Sequence, residues 1–230
     1  MQVRVLSSRL RKEKMNIIAD IAGEYKTLLA LLKKMPDDEV VSLGDMVDRG
    51  PDSQRVLEWF MKNGKAILGN HEHMMLDYCR GGRYYDADIW FYNGGGQTMK
   101  SFDPWEQRFG AEVVPEEFLK WLEGLPLHMV VDGCLLSHSF IRDGMTLHES
   151  TNFGKGIWEV GESRIIWNRR EPIRRPEYRL QICGHNSQFG LRRWADEQGE
   201  YAICLDDSRK RVLTGLHLPT MEIFQQEYIK

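Results

Sequence analysis

Residues 39–50 read EVVSLGDMVDRG: an apolar run that stops on Asp45, then a loop carrying Asp48 and Arg49 between two glycines. The run predicts a buried strand, and the glycines predict tight backbone around clustered charge. Working outward, the same arrangement recurs. NIIAD (16–20) is a strand ending on Asp20, before a helix over 24–35 that carries Leu28, Leu29, Leu31 and Leu32. SQRVLEWFMKNG (53–64) is a helix stopped by glycine, AILGN (66–70) a strand ending on Asn70, and HEHMMLDYCRGG (71–82) another helix. Three strand-to-helix units in succession predict an α/β sheet built with crossover connections.

Beyond this half the pattern changes. Residues 83–126 are rich in Tyr, Trp and Phe, contain the break NGGG (93–96), and read as a helical insertion beside the sheet. Its aromatics either pack into the core or line a substrate groove, and core packing is the expectation. Strands return at 128–139, 178–185, 201–206 and from 211 onward, with turns at ADEQGE and DSRKR that favour antiparallel pairing. No repeat, low-complexity tract or linker divides the chain, so residues 1–230 are expected to form one domain.

Composition excludes several classes. The formal net charge is -3, with 31 Lys and Arg against 34 Asp and Glu, which gives no global attraction to nucleic acid or an anionic membrane. The run NRREPIRRPEYR (168–179) is a local basic patch. The cysteines Cys79, Cys134, Cys183 and Cys204 form no Cys-x-x-Cys pair and read as reduced thiols. No apolar stretch is long enough to span a bilayer, and a cytoplasmic monomer is the expectation.

The chemistry lies where polar residues stop the strands: Asp20, Asp45, Asn70, His138 and His185. Strand ends of an α/β sheet converge on one edge, where ligands bind. Two carboxylates, a carboxamide and two imidazoles delivered there form a donor set for manganese, iron or zinc. His73, His128, His148 and His217 belong to no such pattern and read as packing or surface residues.

DIAG (20–23), GDMVDRG (44–50), GNHE (69–72), His138 in LLSHS and His185 in CGHN, in this order, resemble the phosphoprotein phosphatase family of metallophosphoesterases, specifically its compact bacterial and bacteriophage type. NGGG (93–96) and Trp167-Asn168-Arg169 strengthen the resemblance. It implies a layered calcineurin-like β-sandwich flanked by helices, two divalent metal ions (manganese before iron or zinc), and hydrolysis of phosphate monoesters on serine or threonine of a protein or peptide. Carried over by motif, Asp45 bridges the two ions, Asp20 binds the first, and Asn70, His138 and His185 bind the second. Arg49 and Arg169 hold phosphate oxygens, and His71, oriented by Asp48, protonates the leaving alkoxide. Two ions together acidify water and clamp an in-line displacement.

Two positions depart from the family pattern: Ala19 replaces the commoner glycine before Asp20, a mild change the fold is expected to accept, and the second is the serious one. Ala22 stands where family members place a metal-binding histidine, and a methyl group coordinates nothing. The expectation is weakened occupancy of the first metal position and reduced or abolished hydrolysis. Two other functions stay open: a phosphatase of nucleotides or polynucleotides, or a dinucleoside polyphosphate hydrolase, within the same superfamily; and a non-catalytic pseudophosphatase that binds phosphorylated partners.

Overall fold

A computed structural model describes residues 13–82, 87–103, 105, 110–152 and 164–229. The first half follows the expected order: β1 (Met15–Ile18), α1 (Tyr25–Leu32), β2 (Glu39–Ser42), α2 (Ser53–Asn63), β3 (Lys65–Ala66) and α3 (Asn70–Cys79). The insertion is helical where described, with α4 (Ala87–Trp90), a π-turn at Phe91–Gly95, α5 (Gly96–Phe102) and α6 (Glu116–Glu123). There follow β4 (His128–Val131), β5 (Cys134–Ser137), α7 (Leu147–Thr151), β6 (Leu180–Cys183), β7 (Arg192–Asp196), β8 (Gly199–Cys204), β9 (Val212–Leu218) and β10 (Glu222–Glu227).

The strands form two five-stranded sheets, ordered β10-β9-β1-β2-β3 and β4-β5-β6-β8-β7. Period-two alternation explains how they stack. Met15, Ile17 and Ala19 of the β1 segment, with Val41, Leu43 and Ile67, pack against Leu136, Leu180, Ile182 and Ile203 of the second sheet. Ile18 and Val40 point the other way, onto Leu28, Leu31, Val56, Leu57 and Phe60 of α1 and α2. Burial on both faces is why these strands read as unbroken apolar runs rather than alternating ones.

The second half corrects the expectation of antiparallel pairing. β4–β5, β7–β8, β1–β9 and β9–β10 are antiparallel, but β5–β6 and β6–β8 are parallel. The long connection over 138–179 supplies the crossover that a parallel pair requires. The apolar run at 128–139 is two strands, turned at Asp132 and Gly133, which both have positive φ (48° and 74°) as a tight hairpin needs. The third strand is shorter than its apolar run: Ile67 N–H still donates to Ser42 O at 3.0 Å, but Leu68 N–H turns away from the sheet to Pro126 O at 2.9 Å. β7 was not legible as a strand: it is a charged, exposed edge strand with one buried residue, Trp194, and a register shift beside it.

All four cysteines are free, and three are buried. No helix among the described residues is long and apolar enough to cross a membrane.

Candidate active site

The polar residues that end β1, β2, β5 and β6, with those opening α3, meet at one edge, and the backbone there is unusual. Asp20, Ala22, Asp45, Asp48, Arg49 and His185 all have left-handed φ, between 50° and 72°. A non-glycine residue in that region costs on the order of 1–3 kcal/mol, and such strain persists only where surrounding bonds over-determine it. Those bonds are visible. Ala22 N–H donates to Asp45 O at 2.8 Å, Gly23 N–H to Met46 O at 2.8 Å, and Gly50 N–H to Ala22 O at 2.9 Å, lacing the two Asp-bearing loops together.

Three acceptor atoms converge beside Asp45. His138 Nδ1 donates to Leu43 O at 2.7 Å, which commits that proton and turns Nε2 inward. Nε2 then lies 2.9 Å from Asn70 Oδ1 and 3.2 Å from Asp45 Oδ1. Two oxygens and a ring nitrogen packed this closely suit a shared cation, either a proton on the imidazole or a metal ion. His185 completes the group: ligand atoms of Asp45, His138 and His185 all lie within 4.8 Å of one another. Its Nε2 is buried without a hydrogen-bond partner. Burial and the neighbouring His138 charge hold His185 well below the ordinary imidazole pKa, so it is neutral with a lone pair available. Burial alone would raise Asp45, but the charges of His138 and His71 overcome it and keep Asp45 ionised. These four residues fit a borderline divalent cation.

Asp20 lies alongside. Its two oxygens accept the His185 backbone N–H at 3.1 and 3.0 Å, and a Cβ at Gly184 would collide with its carboxylate, so glycine is required there. Ala22 is buried in the same loop and brings no donor atom.

A second device adjoins the first. His71 Nδ1 lies 2.6 Å from Asp48 Oδ2, and Arg49 Nη2 donates toward His71 Nε2 at 3.1 Å. Burial lowers the pKa of His71, but the Asp45 charge and the hydrogen bond to Asp48 outweigh it, and the net shift is upward. Asp48 is fully buried, and its carboxylate accepts from Trp90 Nε1 (3.1 and 3.0 Å) and from Thr98 Oγ1 (2.6 Å).

A profile of calcineurin-like phosphoesterases matches residues 14–215. The chain belongs to the calcineurin-like phosphoesterase family. Among curated relatives, it is 35% identical over 88 residues to serine/threonine-protein phosphatase 2 of Escherichia coli K12, covering 34% of this chain and 37% of that protein. It is 27% identical over 147 residues to the symmetrical bis(5'-nucleosyl)-tetraphosphatase of Methylobacillus flagellatus, covering 61% of this chain and 48% of that one. These matches span less than half the length of either relative. A protein serine/threonine phosphatase structure from Saccharomyces cerevisiae superimposes with a TM-score of 0.63 at 15% identity, covering 97% of this chain and 82% of that one. That likeness speaks for the shared calcineurin-like fold.

In this member of the family the structure brings Asp20, Asp45, Asn70, His71, Asp48, Arg49, His138 and His185 to one edge. Arg169 is exposed, yet near enough that its charge helps lower the pKa of His185. Asn168 anchors that segment, donating through Nδ2 to Phe140 O at 2.8 Å and through its N–H to Ser139 Oγ at 3.0 Å. Of the four histidines outside the motifs, none belongs to the cluster around Asp45; His217, for example, binds Asp38 and Thr220.

Sequence reasoning missed three kinds of residue. Glu72 was visible in GNHE but had no role. Its Oε2 accepts from the N–H of Asp45 (2.8 Å) and Gly69 (3.0 Å), and its Oε1 from Met46 (2.7 Å) and Val47 (3.2 Å). Trp90 and Thr98 carried no signal beyond an aromatic insertion. Core packing is nonetheless the right reading of Trp90, which is fully buried and spends its one N–H on Asp48. Gly94, in NGGG, has φ 111° and sits against the Arg49 backbone, where a Cβ would collide. The third is Asp206, two residues past β8 and 2% exposed.

Proposed function

We propose that this phosphoesterase hydrolyses phosphate monoesters of serine or threonine in proteins with the help of two divalent cations, manganese first, and that Ala22 lowers its turnover. The observation that carries the substrate class is the Asp48–His71 pair at 2.6 Å beside Arg49. A serine or threonine alkoxide is a poor leaving group and gains from a positioned acid. A nucleotide leaving from a polyphosphate departs as a stable anion and gains little.

When bound, the cations supply an acidified water and charge neutralisation at the phosphoryl group. The protein's own residues do the rest. Arg49 and Arg169 take phosphate oxygens through paired N–H donors. As the Arg49 guanidinium turns to the phosphate it releases His71 Nε2, which then carries the proton that goes to the departing oxygen. Asp48 steadies the imidazolium, and Trp90 and Thr98 hold Asp48.

The basic run does not favour a polynucleotide. Arg174 is bound to Asp196 and to Gly199 O, and Arg175 to the carbonyls of Met145 and Arg142. A pseudophosphatase that binds phosphate without turnover is the reading Ala22 favours, and the same experiment separates the three. Wild type and Ala22→His are compared with manganese on a phosphoserine peptide, a 3'-phosphorylated oligonucleotide and a dinucleoside tetraphosphate. The expected result is fastest turnover of the peptide, raised at least about tenfold by histidine, since even the outer-shell partners of metal ligands are worth about 10–100-fold. Faster turnover of either nucleotide substrate overturns the substrate class. No turnover by either chain, with phosphate still bound, makes it a pseudophosphatase.

A further inference from the structure

Core packing accounts for most aromatic side chains of the helical insertion. Among the described residues, Trp90 and Phe118 are buried, and Phe91, Phe102 and Trp121 pack against the same core. Phe91 meets the rings of Trp90 and Tyr78 with centroids 5.3 Å away in each case. Tyr92 and Trp105 are the exceptions, 92% and 91% exposed. Tyr92 is the one whose neighbours on both sides are tied to the site.

Before it, Trp90 Nε1 donates to Asp48 Oδ2 at 3.0 Å. After it, Gly94 O accepts the Arg49 N–H at 3.4 Å. A Cβ at Gly94 would lie 2.6 Å from the Arg49 nitrogen and 2.9 Å from its Cγ, so this backbone runs directly against the arginine. Within the turn, Asn93 Nδ2 donates to Ile89 O at 2.7 Å, and Gly95 presses on the Trp90 ring so closely that no Cβ fits. The backbone around Tyr92 is therefore held, while its side chain is left in water. Tyr92 stands two residues from Gly94, and consecutive Cα atoms are about 3.8 Å apart, so its backbone is within about 8 Å of the residue that touches Arg49. Arg49 is itself exposed. Ile89, 47% exposed, precedes Tyr92 by three residues, which puts the two on one side of α4 and its π-turn.

A ring left in water adds almost no burial energy to the fold. On a fixed backbone it is instead suited to a partner, because tyrosine offers a large apolar face at a low cost in side-chain freedom. The partner follows from what lies beside it. A phosphate held by Arg49 fixes where a peptide substrate crosses this rim, and an extended chain advances about 3.4 Å per residue. A distance of about 8 Å is then about two residues of substrate.

We propose that Tyr92, flanked by Ile89, is a substrate-contacting residue that selects phosphoserine or phosphothreonine peptides with a large aliphatic side chain about two residues from the phosphate. The inference rests on the protein-substrate reading above and deepens it by naming a sequence preference. The aromatic face covers one side of such a side chain, and Ile89 adds an aliphatic flank, which a branched group uses better than the polar edge of a base.

The test is isothermal titration with manganese present, using a phosphoserine peptide with leucine two residues away on either side and its counterpart with glycine there. Binding needs no turnover, so the low activity expected from Ala22 does not interfere. In wild type the leucine peptide should bind about five- to tenfold more tightly, the scale of covering half a leucine side chain. Tyr92→Phe should keep that ratio, and Tyr92→Ala should bring it close to one. An exposed position tolerates the change, so the Tyr92→Ala melt should stay within about 2 °C of wild type. A ratio near one in wild type, or one that survives Tyr92→Ala, overturns the proposal. So does a Tyr92→Ala variant that loses affinity for a dinucleoside tetraphosphate but keeps the leucine preference, since the ring would then be a platform for a base. Turnover of both peptides by Ala22→His separates this from the substrate reading. Leucine preference in binding without hydrolysis contradicts the phosphatase reading and leaves Tyr92 as a recognition residue. Hydrolysis without preference leaves the substrate class and removes Tyr92, and no binding of either peptide overturns both.

Discussion

Glu72→Gln is the most direct probe of how the site is held together. Each oxygen of the wild-type carboxylate accepts two backbone N–H groups, from Asp45 and Gly69 on one side and Met46 and Val47 on the other. Glutamine has nearly the same shape but keeps one acceptor oxygen. Its NH2 must face the other two N–H groups, so two buried donors lose their partner at about 1–3 kcal/mol each. Relief from burying an ion and some loop relaxation trim the upper end, leaving about 2–4 kcal/mol. For a chain of this size that lowers the melting temperature by about 5–15 °C. Because Asp45 hangs from the same loop, manganese affinity should also fall about 10–100-fold. A pH scan adds a separate signature. In the metal-free chain, burial and the Asp45 charge push the Glu72 carboxyl from 4.5 up to about 7. A carboxyl raised in the folded state contributes stability that is fully present below 4.5 and lost as pH rises through about 7. That decline should be present in wild type and missing in Glu72→Gln. Thermal melts across pH, with and without manganese, read all of this. A variant melting within about 1 °C of wild type, with unchanged manganese affinity, would refute the clamp, since even one orphaned N–H should shift the melt by more.

Asp48→Asn tests the acid pair: His71, now raised, should drop toward or below an ordinary imidazole. The basic limb of the pH–kcat profile for an alkyl phosphate should then move to lower pH, while an aryl phosphate with a good leaving group is little affected; equal losses on both would count against an acid role. Trp90→Phe removes the indole N–H from the buried Asp48 carboxylate and should cost about 1.5–3 kcal/mol in denaturant melts, as expected for a hydrogen bond to a charged group. Ala22→Gly should stabilise the fold by about 0.5–1 kcal/mol, since Ala22 sits at φ 50°; a destabilised variant would mean the Ala22 methyl packs better than its strain suggests.

What the sequence determined by itself was the list of parts. Strands buried on both faces must be apolar throughout, so a carboxylate, carboxamide or imidazole at the end of such a run stands out. Asp20, Asp45, Asn70, His138 and His185 were legible for that reason, whereas the acid role expected of His71 with Asp48, and the phosphate role of Arg49, came from the motif resemblance. Ala22 was visible as a departure because one methyl replaced an expected donor. Tertiary structure decided what closes around these parts. Parallel and antiparallel partners bury the same side chains, so the pairing of β5, β6 and β8 could not be read from their apolar runs. Glu72 became a clamp only when folding brought Asp45, 27 residues away, onto its carboxylate. Trp90 and Thr98 reached Asp48 from an insertion whose composition says nothing about direction. Asp206 is a further case: in sequence it closes the run YAICLD (201–206) but belongs to no motif, and the parallel register of β6 and β8 brings it level with His185. Periodicity reports which residues are buried, because burial repeats along the chain; it does not report which distant residue each one meets.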